Sequence, residues 1–203
     1  MADFLHTLGD IPADRVRWNP FPGTATEADA IQLHESRCYC ELVDGTLVEK
    51  PMSAPEGFLG MLLGYFLNGH VIPKRLGAVI GADAQFRMVE GNLRLPDVSF
   101  TRRERVPNPI PQVGGWCPDL CVEIISPSNT PAEFALKRHE YFASGCQLVW
   151  EIDPRARTAI VYRSEDDAGE LVETLDGGTV LPGFTLPLAT LFAEYDAAAT
   201  DIA

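Results

Sequence analysis

Two apolar periods run along this 203-residue chain, and the places where one gives way to the other mark off its elements. Residues 39–43 (YCELV) and 46–50 (TLVEK) alternate with the two-residue period of strands. Asp44-Gly45 between them signals a hairpin, because both central positions of such a turn need positive φ. Over residues 53–68 the pattern changes. Phe58, Leu59, Met61, Leu62, Leu63, Tyr65, Phe66 and Leu67 leave almost no polar side, which predicts a helix buried on most sides. Beyond Gly77, residues 78–81 and 84–89 read as strands, Glu90-Gly91-Asn92 as a turn and Leu93-Arg94-Leu95 as its return arm. Residues 96–100 (PDVSF) continue as a strand, with Val98 and Phe100 facing one way and Asp97 and Ser99 the other. The Pro-rich run 107–118 is a loop. Residues 148–152 form a buried strand closed by Asp153-Pro154, followed by short outer strands at 158–162, 171–174 and 179–181. Residues 1–30, with scattered Pro and Gly and a helix cap at Thr24-Ala25-Thr26-Glu27, predict an extension wrapped on a single domain over 31–195. Residues 196–203 are expected to be a tail, and the chain has no internal repeat.

Residues 120–125 (LCVEII) are strand-like, yet they carry one carboxylate, Glu123, among apolar neighbours. A strand apolar on both faces lies inside a covered sheet, where an ionised group left alone costs several kcal/mol or more. Glu123 is therefore protonated, paired with a cation or bound to a metal. Ser126-Pro127-Ser128-Asn129 breaks the strand. Thr130 then reads as an N-cap, Pro131 as the first helical residue and Glu133 as the third residue of a capping box. The helix should run to about Ser144 and stop at Gly145, with Phe134, Arg138, Tyr141 and Phe142 near one stripe. Lys137 lies one turn from both Glu133 and Tyr141. A strand, a tight turn and a returning helix can bring Lys137 over the strand end that carries Glu123, so Lys137 is the predicted cation. The competing reading is a helical pair with Glu133.

Composition narrows the class. A hydrophobic content of 46% supports one domain with a substantial core. The longest apolar stretch, 57–67, is too short to span a bilayer, and the first residues lack the basic and apolar regions of a secretion signal, so a cytoplasmic protein is expected. Five cysteines argue against a disulfide framework. Cys38-x-Cys40 and Cys117-x3-Cys121 lack finger spacing, and buried or surface thiols are the stronger reading than zinc. No pair among His6, His34, His70 and His139 has helical ligand spacing, and His139 reads as an outer helix residue. A formal charge of −13 disfavours a nucleic-acid partner. The acid is weighted toward the C-terminal third, however, and Lys74, Arg75, Arg87, Arg94, Arg102, Arg103 and Arg105 leave room for a basic patch in the middle.

Asp97, Glu123 and Lys137 together have a chemical purpose. Two carboxylates at neighbouring strand ends make a hard oxygen site suited to Mg2+, which lowers the pKa of a bound water and offsets charge on phosphorus. A lysine beside them orients the water or steadies the developing anion. Spacing alone carries little weight, since an Asp before a strand is usually a turn residue. For Glu56, in the first turn of the long helix, the helix dipole is already a sufficient reason.

The segments Leu95-Pro96-Asp97-Val98-Ser99-Phe100, 118–128 (PDLCVEIISPS), Lys137, Tyr141, Gly145 and 149–154 (VWEIDP) resemble the Uma-two family. This is a large bacterial group of restriction-endonuclease type within the PD-(D/E)XK nuclease superfamily. The hairpin Glu41-Leu42-Val43-Asp44-Gly45 and Leu181-Pro182-Gly183-Phe184 are similar to it too, so the resemblance covers nearly all of 39–192. It implies an α/β (α+β) mixed sheet with a restriction-endonuclease-like α-β-β-β-α-β core, an N-terminal hairpin and short C-terminal strands. It also implies metal ligands at Asp97, Glu123 and the main-chain carbonyl of Ile124, Mg2+ (or Mn2+) as cofactor, DNA as substrate and a homodimer. Two departures matter. Ile125 stands where the superfamily signature has lysine, and Lys137 on the following helix is the expected replacement. Glu56 stands where many relatives carry histidine, and as an acid on the first helix it becomes a fourth catalytic candidate. Glu41 and Glu49 read as wall or surface acids, Arg87 and Arg94 as phosphate contacts or ordinary exposed strand residues, Trp116 and Trp150 as packing. The leading expectation is a magnesium-dependent deoxyribonuclease. The alternatives are a catalytically inactive nuclease-like module that binds DNA or protein, and a metal-dependent hydrolase of small phosphate esters.

Overall fold

The structure is a computed structural model in which residues 1–51 and 53–200 are described. Helices α1 (Ala2–Thr7) and α2 (Glu27–Glu35) precede a hairpin of β1 (Cys40–Val43) and β2 (Thr46–Glu49). Asp44 and Gly45 turn it at φ +46° and +68°, as the Asp-Gly pair requires. Thr26 and Asp29 cap α2 reciprocally. Leu8, Ile11 and Val16 pack on Val43 and Val48, and Arg15 reaches Glu133 at 2.7 Å, so the first residues clamp the hairpin to a later helix.

α3 (Ala54–Lys74) runs past the expected end at residue 68 and stops at Arg75, which has φ +53°. Its predicted burial on most sides does not hold. Leu59, Leu63, Leu67 and Val71, spaced by four, are buried, while Met61, Tyr65 and Ile72 are 74%, 72% and 66% exposed. The helix lies over the border of a sheet, so one side packs and the other side faces out.

After α3 come β3 (Gly77–Gly81), β4 (Gln85–Arg87), β5 (Leu93–Arg94), β6 (Val98–Arg102), β7 (Val113–Gly114) and β8 (Leu120–Ile124). Helix α4 (Pro131–Ala143) leads to β9 (Leu148–Asp153), β10 (Thr158–Tyr162), β11 (Glu170–Val172), β12 (Thr174–Asp176), β13 (Thr185–Pro187) and α5 (Leu188–Thr200). The main sheet has the order β11-β10-β9-β8-β6-β3, with β8 parallel to β9 and its other pairs antiparallel. A smaller sheet, β2-β1-β5-β4-β7, stands beside it, and β12 pairs with β13. The sequence α3-β3-β6-β8-α4-β9 is the expected α-β-β-β-α-β core. No described helix is long and apolar enough to cross a membrane.

Residues 93–100 are not one continuous strand. β5 belongs to the small sheet and β6 to the large one, and Leu95-Pro96-Asp97 carries the chain between them. Pro96 has no N–H to give a ladder, so pairing lapses there and Asp97 arrives at the border of the two sheets. The strand expected at 179–181 is absent. Val180 and Leu181 are buried, but in a turn, and the strand that pairs with β12 is β13. The expected tail from residue 196 begins inside α5, and residues 201–203 lie outside the described residues.

β8 is buried throughout, and its alternation sorts its side chains. Leu120, Val122 and Ile124 join the main core with Leu59, Leu63, Trp150 and Phe192. Cys121 instead packs with Tyr141 and Val149. Glu123 shares the Cys121 side and so points toward α4.

Candidate active site

Asp97 and Glu123 come together because β6 and β8 are neighbours. Asp97 N donates to Val122 O at 2.9 Å, extending the ladder one residue before β6. Asp97 Oδ2 then accepts from Ile124 N at 2.7 Å. Its carboxylate is thus tied to the residue that follows Glu123.

Lys137 is where the strand–turn–helix reading put it. Its Nζ lies 3.1 Å from Glu123 Oε2, and the side chain is 3% exposed. Tyr141, one turn further along α4, donates from its hydroxyl to Glu123 Oε1. The competing Lys137–Glu133 pair does not form as an ion pair, since Glu133 accepts from Arg15 and Asn129. This also corrects the capping box: Thr130 accepts from Glu133 N at 3.0 Å, but the Glu133 side chain is spent elsewhere.

Sequence reasoning missed most of what surrounds these groups. Glu41 is fully inside the site, with Oε1 3.1 Å from Lys137 Nζ and Oε2 2.8 Å from Arg94. Arg94 is buried as well and makes a two-pronged contact with Glu140 at 2.6 and 2.7 Å, so it is neither a phosphate contact nor an exposed strand residue. Lys50, just past β2, places Nζ 2.8 Å from Asp97 Oδ1. The signal for Glu41 was present in the sequence. It interrupts an apolar strand (CELV) just as Glu123 interrupts LCVEI.

The cluster holds four carboxylates, Asp97, Glu123, Glu41 and Glu140, against three cations, Lys50, Lys137 and Arg94. One positive charge is wanting, and Glu123 bears the consequence. Burial pushes its carboxyl up to about 7; Lys137 and Lys50 pull the other way, and the charges of Asp97 and Glu41 add to the rise. Glu41 is buried too, yet Lys137, Arg94 and Lys50 outweigh that and hold it well below the usual carboxylate range. Lys137, despite burial, is held above its ordinary value by Glu123 and Glu41.

Glu56 joins by position rather than by a bond. It lines a cavity of about 790 Å³ together with Asp97, Tyr39 and Asp83. One turn on, Gly60 lies against this strand end: a Cβ there would meet Ile124 Cδ1 at 3.4 Å and the Asp97 carbonyl at 3.9 Å. Glu56 Oε2 is buried with no hydrogen-bond partner. An orphaned carboxylate oxygen, in the cavity that Asp97 lines and beside a cluster short of one positive charge, fits a hard divalent cation.

The remaining candidates disperse. Glu49 pairs with Arg17 and Arg87 with Glu27, all away from the site. Arg102 and Arg105 face Asp119, so of the anticipated basic patch only Lys74, Arg75 and Arg103 keep no carboxylate partner. His139 meets Glu165 at the surface; Trp150 is buried in the core and Trp116 donates to Thr101. Cys117 and Cys121 are joined by Cys146, with the three sulfurs within 4.8 Å of one another. Cys117 points at Tyr141 O; burial holds the Cys121 thiol well above its usual range, whereas hydrogen bonds from Cys117 and Cys121 outweigh burial and hold Cys146 well below it.

The α-β-β-β-α-β core order is that of the restriction-endonuclease-like fold. The Uma2 family, described as "putative restriction endonuclease", matches residues 27–191, and the chain belongs to it. A crystal structure of a putative nuclease belonging to DUF820 from Anabaena variabilis has the same fold, with a TM-score of 0.74 and 22% identity over 84% of this chain and 98% of that one. No curated protein matches the chain.

Proposed function

We propose that the protein is a metal-dependent endodeoxyribonuclease. The observation that carries this is the meeting of Asp97 and Glu123 at adjacent strand ends, with Lys137 on Glu123. Asp97, Glu123 and the Ile124 carbonyl would hold Mg2+ or Mn2+, which when bound lowers the pKa of a water and offsets charge on phosphorus. Tyr141 and Lys137 each take one oxygen of Glu123 and so fix the direction its lone pairs face. Lys137 keeps a full positive charge beside that carboxylate, suited to steadying an anion that develops nearby. Glu56 offers an unbonded oxygen in the same cavity, suited to taking a proton from a water.

A second reading has its own support. With Arg87, Arg102 and Arg105 facing carboxylates and Arg94 buried, the surface is poor in free cations for a phosphate backbone, which favours a nuclease-like module that binds a partner protein without cutting. Incubation of supercoiled plasmid with Mg2+ separates the two. Asp97→Asn and Lys137→Met should each lower nicking by about 100-fold or more. Equal rates in wild type and both variants, or no nicking by any, would overturn the nuclease reading.

A further inference from the structure

β8 and β9 run parallel and side by side, so the segments that lead into them also meet. Cys117 stands three residues before β8, and Cys121 is the second residue of that strand. Cys146 stands two residues before β9, past the turn that Gly145 makes at φ +95° beyond α4. All three are buried, their sulfurs lie within 4.8 Å of one another, and no histidine or carboxylate of the described residues joins them. The pair Cys117-x3-Cys121 carries no metal signal by itself because the third sulfur comes from the far side of α4.

Three sulfurs around one point suit a thiophilic ion. Four-coordinate zinc, with bonds of about 2.3 Å, sets its sulfurs about 3.8 Å apart, so the three need draw in by no more than about 1 Å. As thiols they have little to give up: Cys117 donates to Tyr141 O at 3.6 Å and Cys146 to Leu148 O at 3.1 Å, and S–H is a weak donor. Charge selects the ion. The buried Asp119 faces both Arg102 and Arg105, and Arg105 also donates to Cys117 O at 2.9 Å. Two cations against one carboxylate leave one positive charge beside the sulfurs. A divalent ion on three thiolates carries one negative charge and matches it, whereas a monovalent ion would leave two to bury. A route in exists as well. Cys146 lines a cleft of about 570 Å³ whose other walls include Glu165 and Asp166, acids that attract a cation.

We infer that Cys117, Cys121 and Cys146 hold a zinc ion, with a water from the cleft as its fourth ligand. Each thiol yields its proton to solvent as its sulfur bonds to the metal, and nothing is oxidised or reduced. The ion ties the end of α4 to the entries of β8 and β9. Tyr141 lies at that corner: its carbonyl accepts from Cys146 N at 2.9 Å, and its hydroxyl reaches Glu123. The protein donors are all sulfur, so the inference does not depend on the proposed reaction.

Titration of the reduced, chelator-stripped chain with Co2+ tests it, because Co2+ bound through sulfur absorbs by charge transfer and Co2+ on oxygens does not. Wild type should develop this band with about one equivalent of Co2+, and about one equivalent of Zn2+ should abolish it. Cys117→Ala and Cys146→Ala, each checked for folding by circular dichroism, should bind about 100-fold more weakly or worse. Cys38→Ala, which breaks the separate Cys38–Cys40 pair with its sulfurs 3.8 Å apart, should behave as wild type. If the buried variants do not fold, the wild-type and Cys38→Ala titrations decide alone. No sulfur band in wild type, unchanged affinity in Cys117→Ala or Cys146→Ala, or loss of the band in Cys38→Ala would each overturn the inference.

Discussion

Lys50 Nζ lies 2.8 Å from Asp97 Oδ1, so the carboxylate at the heart of the proposed metal site already faces a buried ammonium. Lys50 also donates to the carbonyls of Leu95 at 2.5 Å and Ala82 at 3.3 Å, which pins it between the segment entering β6 and the segment leaving β3. It offsets the charge of Asp97 in the metal-free protein. A divalent ion at the same carboxylate must share it with Lys50.

Lys50→Met removes that competitor while keeping most of the side chain's volume. Affinity for Mn2+, measured by calorimetry, should rise about tenfold or more, since at an effective dielectric of about 20 a unit charge a few ångströms away disfavours a divalent ion by several kcal/mol, part of which Lys50 relieves by moving aside. The melting temperature should fall, because two carbonyls lose their donor at about 1–3 kcal/mol together. Unchanged or weaker Mn2+ binding would count against competition at Asp97.

Arg94 joins Glu41 to Glu140, with all three side chains buried. Arg94→Met leaves two carboxylates without their shared cation, a change that typically costs about 3–5 kcal/mol. For a chain of this size the melting temperature should drop by on the order of 10 °C. A drop of a degree or two would mean that the pairs contribute little and that Lys137 alone holds Glu41.

Glu123 makes the metal-free protein less stable as pH rises. Its folded pKa, about 7, lies above the ordinary 4.5, so between these values the folded state binds more protons than the unfolded one. The contribution is fully present below about 4.5 and is lost as pH rises through 7, on the order of 3 kcal/mol in all. Glu133 has the opposite sign. Burial works against its charge, but Arg15 and Lys137 prevail and lower its pKa, so its contribution is present above 4.5 and lost on acidification. Urea melts in EDTA should show the loss between pH 5 and 7 in wild type and not in Glu123→Gln. An identical slope in the two proteins would rule Glu123 out as its source.

The sequence was legible where local signals and tertiary packing agreed. Asp44-Gly45 set the hairpin, Thr130-Pro131 began α4, and the single acid in LCVEI marked a site whose cation was two turns into the next helix. It was less legible where long-range pairing decided. Arg94 looks like an outer strand residue until Glu41 and Glu140 arrive from elements 53 and 46 residues away. Lys50 gives no local hint of Asp97. The exposure of Met61 and Tyr65 could not be read from an apolar pattern that fits burial equally well; it follows from α3 lying at the border of a sheet. Val180 and Leu181 were buried as expected of apolar residues, but burial in a turn carries the same composition as burial in a strand.

The central claim is that Asp97 and Glu123 share a divalent cation. Anomalous diffraction from crystals soaked in Mn2+ tests it most directly. A peak within about 2.3 Å of oxygens from both carboxylates and of the Ile124 carbonyl is the predicted result. Density with no peak there, and Lys50 still seated on Asp97 at saturating Mn2+, would contradict it.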